Sequence, residues 1–297
     1  MAQRSAPVLP LVVVVIFAIL IVVLIVLAWF LWQRLPPATK PTASQPVPTV
    51  SPQTKSAPRS ISVTGPIHWR PTRHEKPLEV LEKRWFTIGY DEDQKDPAWV
   101  VYDLSGPITH PGREPTRPLF ATDNQTTARV SQHDYSGSHF DRGHMCPAYA
   151  MWSRYGEEGF LATFVCSNII PQPHSVNAGI WEDWEVRIAG RGSNGGWAEQ
   201  FGQVTVIDGP VLGSHPDHLL AGVAVPVACF SIVVRHTKTG YDALAFEIPD
   251  KGNPPRPVDR YLTTIKQIED DTALDFFAGE AAPLRDALET VRAERVW

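Results

Sequence analysis

The sequence predicts an α+β domain that follows a membrane-spanning helix, and three features lead to this prediction. An uncharged apolar run near the N terminus is followed by a proline-rich stretch. Beyond it, segments rich in aromatic and β-branched residues, bounded by Asp, Pro and Gly, are typical of strands. Between these lie segments in which large apolar side chains recur at helical spacing. Because the two kinds of segment are interspersed without an internal repeat, we expect one sheet with helices packed on it.

The start of the chain is predicted to be a membrane anchor and a tether. After a short tail, residues 1–10, residues 11–32 contain no charge, glycine or proline, and 22 residues suffice for a helix to cross a bilayer. The run exceeds the apolar region of a cleaved signal peptide and no small-residue cleavage site follows, which favours an uncleaved, single-pass signal anchor. Residues 33–60 are rich in Pro, Ser and Thr and predict a disordered, extended linker. Basic residues lie on both sides of the apolar run, so the positive-inside rule does not fix its orientation.

Residues 61–297 are predicted to form the globular domain. All 32 acidic residues lie in it, against 22 of the basic ones. Such a domain does not grip nucleic acid through a broad positive surface, so a polyanion would have to meet a local patch or a metal ion. The three cysteines, Cys146, Cys166 and Cys229, show no C-x-x-C spacing. This predicts buried free thiols rather than a disulfide framework or a zinc knuckle, with pairing of Cys146 and Cys166 left open.

Taken in chain order, the predicted strands are 85–90, 98–104, 164–170, 203–207, 225–235 and 243–248. An irregular region, 107–138, separates the second strand from the third, and a loop of this length usually serves a site or is disordered. A helix is predicted to begin near Ser175 or Asn177 and to end at Gly190. The residues that give it helical spacing are Ile180, Trp181, Trp184 and Ile188. Further helical segments are predicted at 258–277 and 282–294.

The most informative stretch is 138–147, SHFDRGHMCP, which places an acid, a cation and an imidazole within four residues, Asp141 to His144. Alternate side chains of an extended segment share a face, so Arg142 and His144 are expected to point the same way, while Gly143 permits close approach to the backbone. A guanidinium matches phosphate or carboxylate oxygens, and an imidazole exchanges its proton near neutral pH. The motif indicates an anion site beside a base, although alone it is more often a salt bridge beside a surface histidine.

Two longer stretches, DYSGSHFDRGHMCPA at 134–148 and SNIIPQPHSVNAGIWEDWE at 167–185, together resemble the signature of the DNA/RNA non-specific endonuclease family. These are the ββα-metal nucleases, which include secreted bacterial sugar-nonspecific nucleases and mitochondrial endonuclease G. The resemblance extends more weakly over residues 80–278. It implies a ββα-metal nuclease fold with a central, largely antiparallel sheet flanked by helices.

The resemblance also implies roles for individual residues. His144 matches the general base that takes a proton from the attacking water, which requires a neutral imidazole. Asn177 matches the one direct protein ligand of a divalent cation, the remaining positions being water. Glu185 matches a carboxylate that holds one of those waters. Read from the residues alone, Asn177 is better suited to cap a helix, and the ordinary alternative for Glu185 is a solvated helix residue.

Three further residues are assigned by the same resemblance. Arg142 and Arg117 match arginines that bind the phosphate and stabilise its developing charge, Arg117 less securely because Arg113 lies nearby. Asn168 matches an asparagine that orients groups around the base and the metal, and the alternative is a cap for the turn 171–173. The chain departs from the family at Ala189, where certain members have arginine, and at Ser231, where many relatives have lysine. These departures weaken the expected contacts to phosphate.

The activity implied is hydrolysis of phosphodiester bonds in DNA and/or RNA, with Mg²⁺, or Mn²⁺ as the alternative ion, and with 5′-phosphate products. Little sequence preference is expected, because contacts to phosphates carry no base information. The expected partners are the nucleic acid and, through the N-terminal helix, the membrane. A homodimer is an open alternative to a monomer, and nothing in the sequence names an inhibitor protein.

Three other interpretations stay open at this point. One is a catalytically silent polyanion-binding module that keeps the fold, and another is a phosphodiesterase or phosphatase for small or lipid-linked substrates near the membrane. The third is a zinc site, disfavoured by the irregular spacing of its candidate ligands, His133, His139, His144 and His174. An outward-facing nuclease would spare the cell's own nucleic acid, so we expect the domain to be extracytoplasmic.

Overall fold

The structure, a computed structural model, describes residues 70–73, 76–238 and 240–297, and its centre is a large antiparallel sheet. In chain order the strands are β1 Glu79–Glu82, β2 Phe86–Asp91, β3 Asp96–Ser105, β4 Asp141–His144, β5 Ile169–Gln172, β6 Gln203–Val211, β7 Asp217–His218, β8 Ala224–Val225, β9 Ala228–Thr237, β10 Gly240–Pro249 and β11 Leu262–Thr263. Seven of them form the main sheet in the order β1-β2-β3-β6-β9-β10-β11. Every neighbouring pair in it is antiparallel.

The site elements lie in the long connection between β3 and β6. In it β4 pairs with β5 as a separate two-stranded sheet. The helices of this connection are α1 Ala148–Ala162, a π-helical turn Val176–Trp181, α2 Glu182–Ala189 and α3 Gly196–Gln200. Two strands and a helix therefore meet in a ββα arrangement, with α1 inserted between the strands.

Two hydrophobic clusters cover the two faces of the main sheet, because alternate residues of each strand point to opposite sides. In β9, Cys229 and Val233 join one cluster, whereas Phe230 and Ile232 join the other. The first cluster takes in buried tryptophans of the site helices, Trp181 and Trp184. The second packs against two C-terminal helices, α4 Ile265–Thr272 and α5 Ala282–Glu289. The predicted α+β architecture, a sheet flanked by helices, is confirmed.

Several predicted elements need correction. The strand predicted at 164–170 is instead a 3-10 turn, Cys166–Asn168, followed by β5, because Asn168 bonds to backbone outside the ladder. Only part of 258–277 is α-helical, since β11 precedes α4 and Ala273, with a left-handed φ of 57°, ends it. Helix α1 was not predicted. It contains Gly156 at a φ of 70°, which breaks the helical pattern.

The predicted tail, membrane anchor and linker, residues 1–60, lie outside the described residues. Among the residues that are described, no helix is long and apolar enough to span a membrane. The cysteine prediction is confirmed, since Cys146, Cys166 and Cys229 are all buried with free thiols.

Candidate active site

The D-R-G-H segment is held as strand β4 by its partner β5. Asp141 lies opposite Gln172 and His144 opposite Ile169. A side chain on Gly143 would bring its Cβ within 2.4 Å of the Gln172 side-chain oxygen. The predicted close approach at Gly143 is therefore real, but its cause is a neighbouring protein side chain.

Asn168 fixes the end of this strand. Its Oδ1 accepts a hydrogen bond from the Cys146 amide at 2.9 Å. Its Nδ2 donates to the carbonyls of Cys146 and Thr163, both at 3.1 Å. The residue is fully buried. Its carboxamide is thus engaged with backbone two residues beyond His144, and this geometry suits a residue that positions β4.

His144 lies in an aromatic environment. Its ring centroid is 5.1 Å from those of both Phe120 and Phe164, and the residue is 8% exposed. Its Nε2 is buried without a hydrogen-bond partner among the described residues. Burial lowers the pKa of His144 to about 3, with a smaller contribution from the charge of Arg117. The imidazole is consequently neutral at physiological pH.

Asn177 is oriented by the D-R-G-H segment itself. It lies in the π-helical turn Val176–Trp181, and its Nδ2 donates to Asp141 Oδ2 at 2.9 Å. The same carboxylate oxygen lies 2.8 Å from Nδ1 of His174. The side chain of Asn177 makes no helix-capping bond. With its nitrogen committed to Asp141, the amide oxygen is the atom left for a cation.

Glu185 is half-buried, and the buried acid Asp208 lies near it. Burial first, then the nearby charges of Asp208 and Glu182, raise the pKa of Glu185 to about 8, while two arginines oppose the shift. Asp208 is 1% exposed and accepts a hydrogen bond from the Tyr102 hydroxyl at 2.8 Å. Burial raises the pKa of Asp208 to about 7, although hydroxyl donors oppose the shift.

Two predicted arginines approach this site from different directions. Arg117 is exposed, and its Nε donates to Glu114 at 2.8 Å. Its charge acts on the pKa values of both His144 and Glu185, so it lies near both. Arg142 is half-buried and donates from its Nη2 to the Gln132 carbonyl at 2.8 Å. Arg117 and Gln132 both lie in the irregular region 107–138, so this region contributes to the candidate site.

Oxygen atoms from two helical segments could hold a metal ion here. The candidates are the amide oxygen of Asn177 and the carboxylate of Glu185. A different group, Glu269, Asp275 and Glu289, has ligand atoms within 4.8 Å of one another, but it lies beside α4 and α5. None of its members comes from the D-R-G-H segment or from α2.

Sequence analysis missed the part that three neighbours of the site play. Asp208 is the one charged residue in the apolar strand QVTVIDGPV, which marks it as unusual. Asp141 was identified only as the acid of the D-R-G-H motif, and it holds Asn177. Arg191, whose charge reaches Glu185, lies beyond the end of α2, where helical spacing gives no information.

Fold and site together define an α+β protein with the architecture of the EndoG-like nucleases. The fold matches a chain in the solved structure of the EndoG/EndoGI complex with a TM-score of 0.56 and 20% identity, over 68% of this chain and 86% of that one. The chain belongs to the DNA/RNA non-specific endonuclease family, whose model matches residues 73–282. The predicted family is therefore confirmed.

Curated relatives of this chain are also nucleases. The mitochondrial nuclease EXOG of Danio rerio is 27% identical over 68% of this chain and 62% of its own length. The EXOG of Xenopus laevis is 30% identical over 65% of this chain and 57% of its own length. The chain thus spans less than two thirds of either protein. A nuclease of a Nostoc strain is 25% identical over 81% of this chain and 89% of its own length.

Proposed function

We propose that this protein is a divalent-metal-dependent endonuclease that hydrolyses phosphodiester bonds of DNA and/or RNA with little sequence preference. The observation that carries the proposal is the 2.9 Å hydrogen bond from Asn177 to Asp141. It commits the amide nitrogen and leaves the amide oxygen available. Asp141 and His144 belong to the same strand, so this hydrogen bond ties Asn177 to the segment that carries the base.

The donor set fits magnesium. An amide oxygen and a carboxylate are hard ligands, and a site with few protein ligands suits an ion that keeps several of its waters. Asn177 would bind the ion directly, and Glu185 would accept hydrogen bonds from its waters once its carboxyl group has ionised. When bound, the ion would stabilise negative charge on the phosphate and on the departing oxygen.

His144 is suited to take the proton from water because its imidazole is already neutral. The aromatic rings of Phe120 and Phe164 hold it in one orientation and exclude solvent from one side. A base with a pKa of about 3 is weak in the free protein. The anionic phosphate of a bound substrate would raise this pKa, because a nearby negative charge favours the protonated ring. The base would thus strengthen when substrate arrives.

The two arginines would hold the phosphate. Arg117 reaches the side of the site that contains His144 and Glu185, and the side chain is 59% exposed, so it is free to exchange Glu114 for a substrate phosphate. Arg142 is anchored on the Gln132 carbonyl and presents a guanidinium that is already oriented. Donors fixed before the reaction stabilise the charge that develops on the phosphate.

Cleavage of supercoiled plasmid and of RNA by the full chain in Mg²⁺ tests this proposal. We expect activity that EDTA abolishes, and His144→Ala should lower the rate by about 10²- to 10⁴-fold. His215→Ala, at an exposed histidine outside the site, is the matched control and should retain activity. If the wild type leaves both polymers intact but cleaves a small phosphodiester, the small-substrate alternative is correct. If it cleaves neither, the protein is a silent module.

Membrane attachment is a separate part of the proposal and is supported by the apolar run 11–32. We infer that this run anchors the protein and that the nuclease domain faces outward. Protease added to intact cells should then degrade the domain. Protection of the domain in intact cells, with degradation only after lysis, would reverse the orientation.

A further inference from the structure

Arg191 follows directly on helix α2, and the backbone there turns back on itself. Gly190 ends the helix with a φ of 80°. A Cβ at this position would lie 1.9 Å from the Asn194 carbonyl oxygen, so only glycine fits. The amide of Arg191 donates to that carbonyl at 2.7 Å. The turn therefore holds the backbone of Arg191 in a fixed place beside the helix end.

The side chain of Arg191 contacts both α2 and α1. Its Nη2 donates to Glu182 Oε1 at 2.9 Å, and Glu182 lies one helical turn before Glu185. Its guanidinium carbon is 5.4 Å from the ring centroid of Tyr149, five residues beyond His144. The Tyr149 hydroxyl accepts a hydrogen bond from the Gly192 amide at 3.0 Å, which ties the turn to α1.

Arg191 supplies positive charge beside the end of α2. The position one turn beyond Glu185 in the helix is the buried Ala189. Arg191 pairs with Glu182, one turn before Glu185, and so places a guanidinium next to this part of the helix.

On the basis of the proposed function, we propose that Arg191 binds a phosphate of the nucleic acid next to the one being cleaved, and that Glu182 holds it in place until substrate binds. The Arg191 side chain is 53% exposed and that of Glu182 43% exposed. Ion pairs this accessible are worth about 0–1 kcal/mol, so a phosphate can displace the carboxylate. Arg191 also lines an open cleft of about 1080 Å³ along α2.

The same helix supplies a matched control. Asp183, adjacent to Glu182 but about 100° around the helix, pairs with Arg256 at 3.0 Å. Arg187 pairs with Asp259 at 3.7 Å. Both arginines are exposed and line the same cleft. If positive charge anywhere along the cleft strengthened binding, substitution of Arg187, Arg191 or Arg256 would weaken binding equally.

Binding and cleavage should be measured on the full chain with a fluorescent single-stranded DNA oligonucleotide. In the His144→Ala background with Mg²⁺, Arg191→Ala should weaken binding about tenfold and reduce the slope of log K against log salt by about 1. The affinity of Arg191→Lys should lie between those of the unsubstituted residue and Arg191→Ala, because lysine keeps the charge and loses the planar guanidinium. Arg187→Ala and Arg256→Ala should change binding less than twofold. In the active enzyme, Arg191→Ala should raise KM with little change in kcat.

Glu182→Gln separates a substrate contact from a structural role. If Arg191 binds phosphate, releasing it from Glu182 should tighten oligonucleotide binding, the opposite sign to Arg191→Ala. If the pair merely stabilises the turn, both substitutions should weaken binding and lower Tm together, which overturns the inference. An active wild type with unaltered binding in Arg191→Ala overturns it while the nuclease proposal stands. Binding that depends on Arg191 in a wild type that does not cleave would support the phosphate site and refute the nuclease.

Discussion

Two helix glutamates of this protein look alike in isolation, and their surroundings differ. Glu185 in α2 is partly and Glu289 in α5 almost fully shielded from solvent, and both have a raised pKa, to about 8 and about 7. In each case burial is the largest cause and a neighbouring carboxylate adds to it. By these two measures either residue would qualify as a functional-site candidate.

The surroundings separate the two. Glu289 faces Glu269 and Asp275, with Arg285 at 3.8 Å, while Lys266 lies 3.7 Å from Glu269. This is a carboxylate cluster whose charge is offset by basic side chains on its own helices. Glu185 instead shares its region with a neutral histidine, an oriented amide and arginines supplied by separate loops. Diversity of chemical groups from distant parts of the chain, rather than density of carboxylates, distinguishes the catalytic candidate.

The largest effect is expected at Asn177, the residue whose oriented amide lies in the candidate site of Glu185. Asn177→Ala removes the proposed direct ligand, so Mg²⁺ affinity and cleavage should fall by at least about 100-fold, the upper range for loss of an indirect metal contact. Asn124→Ala, at an exposed asparagine bonded to Arg129, is the control and should be unaffected. The measurements are cleavage rate against Mg²⁺ concentration and Mg²⁺ binding by calorimetry. Normal Mg²⁺ affinity in the Asn177 variant would remove this residue from the site.

The direct comparison is the same substitution at both glutamates. Glu185→Gln should reduce cleavage about 10- to 100-fold, because a neutral amide holds metal waters less well than a carboxylate. Glu289→Gln should leave the rate within about twofold, since the cluster lies on elements that contribute nothing to the site. Plasmid-nicking rates at saturating Mg²⁺ measure both. Equal losses in the two variants would mean that the two carboxylate groups are coupled.

Sequence patterns predicted the sheet and the order of the site motifs, because alternation along strands and the D-R-G-H spacing are local properties. They failed where hydrogen bonds from a side chain determine the backbone conformation. Asn168 bonds to Cys146 and Thr163 across the fold, and so a turn replaces the predicted strand. The π-helical turn that holds Asn177 likewise invalidates any angle counted along a regular α-helix. These features depend on contacts between distant residues, which periodicity does not encode.

The pH dependence of Mg²⁺ binding should further distinguish Glu185 from Glu289. Since the pKa of Glu185 is raised to about 8, its carboxyl group must lose a proton before it accepts metal waters, and Mg²⁺ affinity should rise with pH up to about that value. Asp208 is the largest charged contributor to this shift. Asp208→Asn should therefore move the midpoint of the affinity profile to lower pH, and Glu289→Gln should leave it in place. Calorimetric titrations of Mg²⁺ at a series of pH values provide the test, and an unmoved midpoint in the Asp208 variant would contradict it.

The smallest effect concerns the contribution of Glu289 to the stability of the folded protein. Glu289 has its pKa raised from 4.5 to about 7, so between these values the folded protein retains a proton that the unfolded chain has lost. Stability from this residue is present below pH 4.5 and is lost as pH rises through about 7. Glu289→Gln cannot ionise, so at pH 8 its Tm should exceed that of the wild type by about 2 to 4 °C, as expected for roughly 1 kcal/mol in a domain of this size. At pH 4.5 the two should coincide, and an equal decrease in Tm at both pH values would instead indicate lost packing around Arg285.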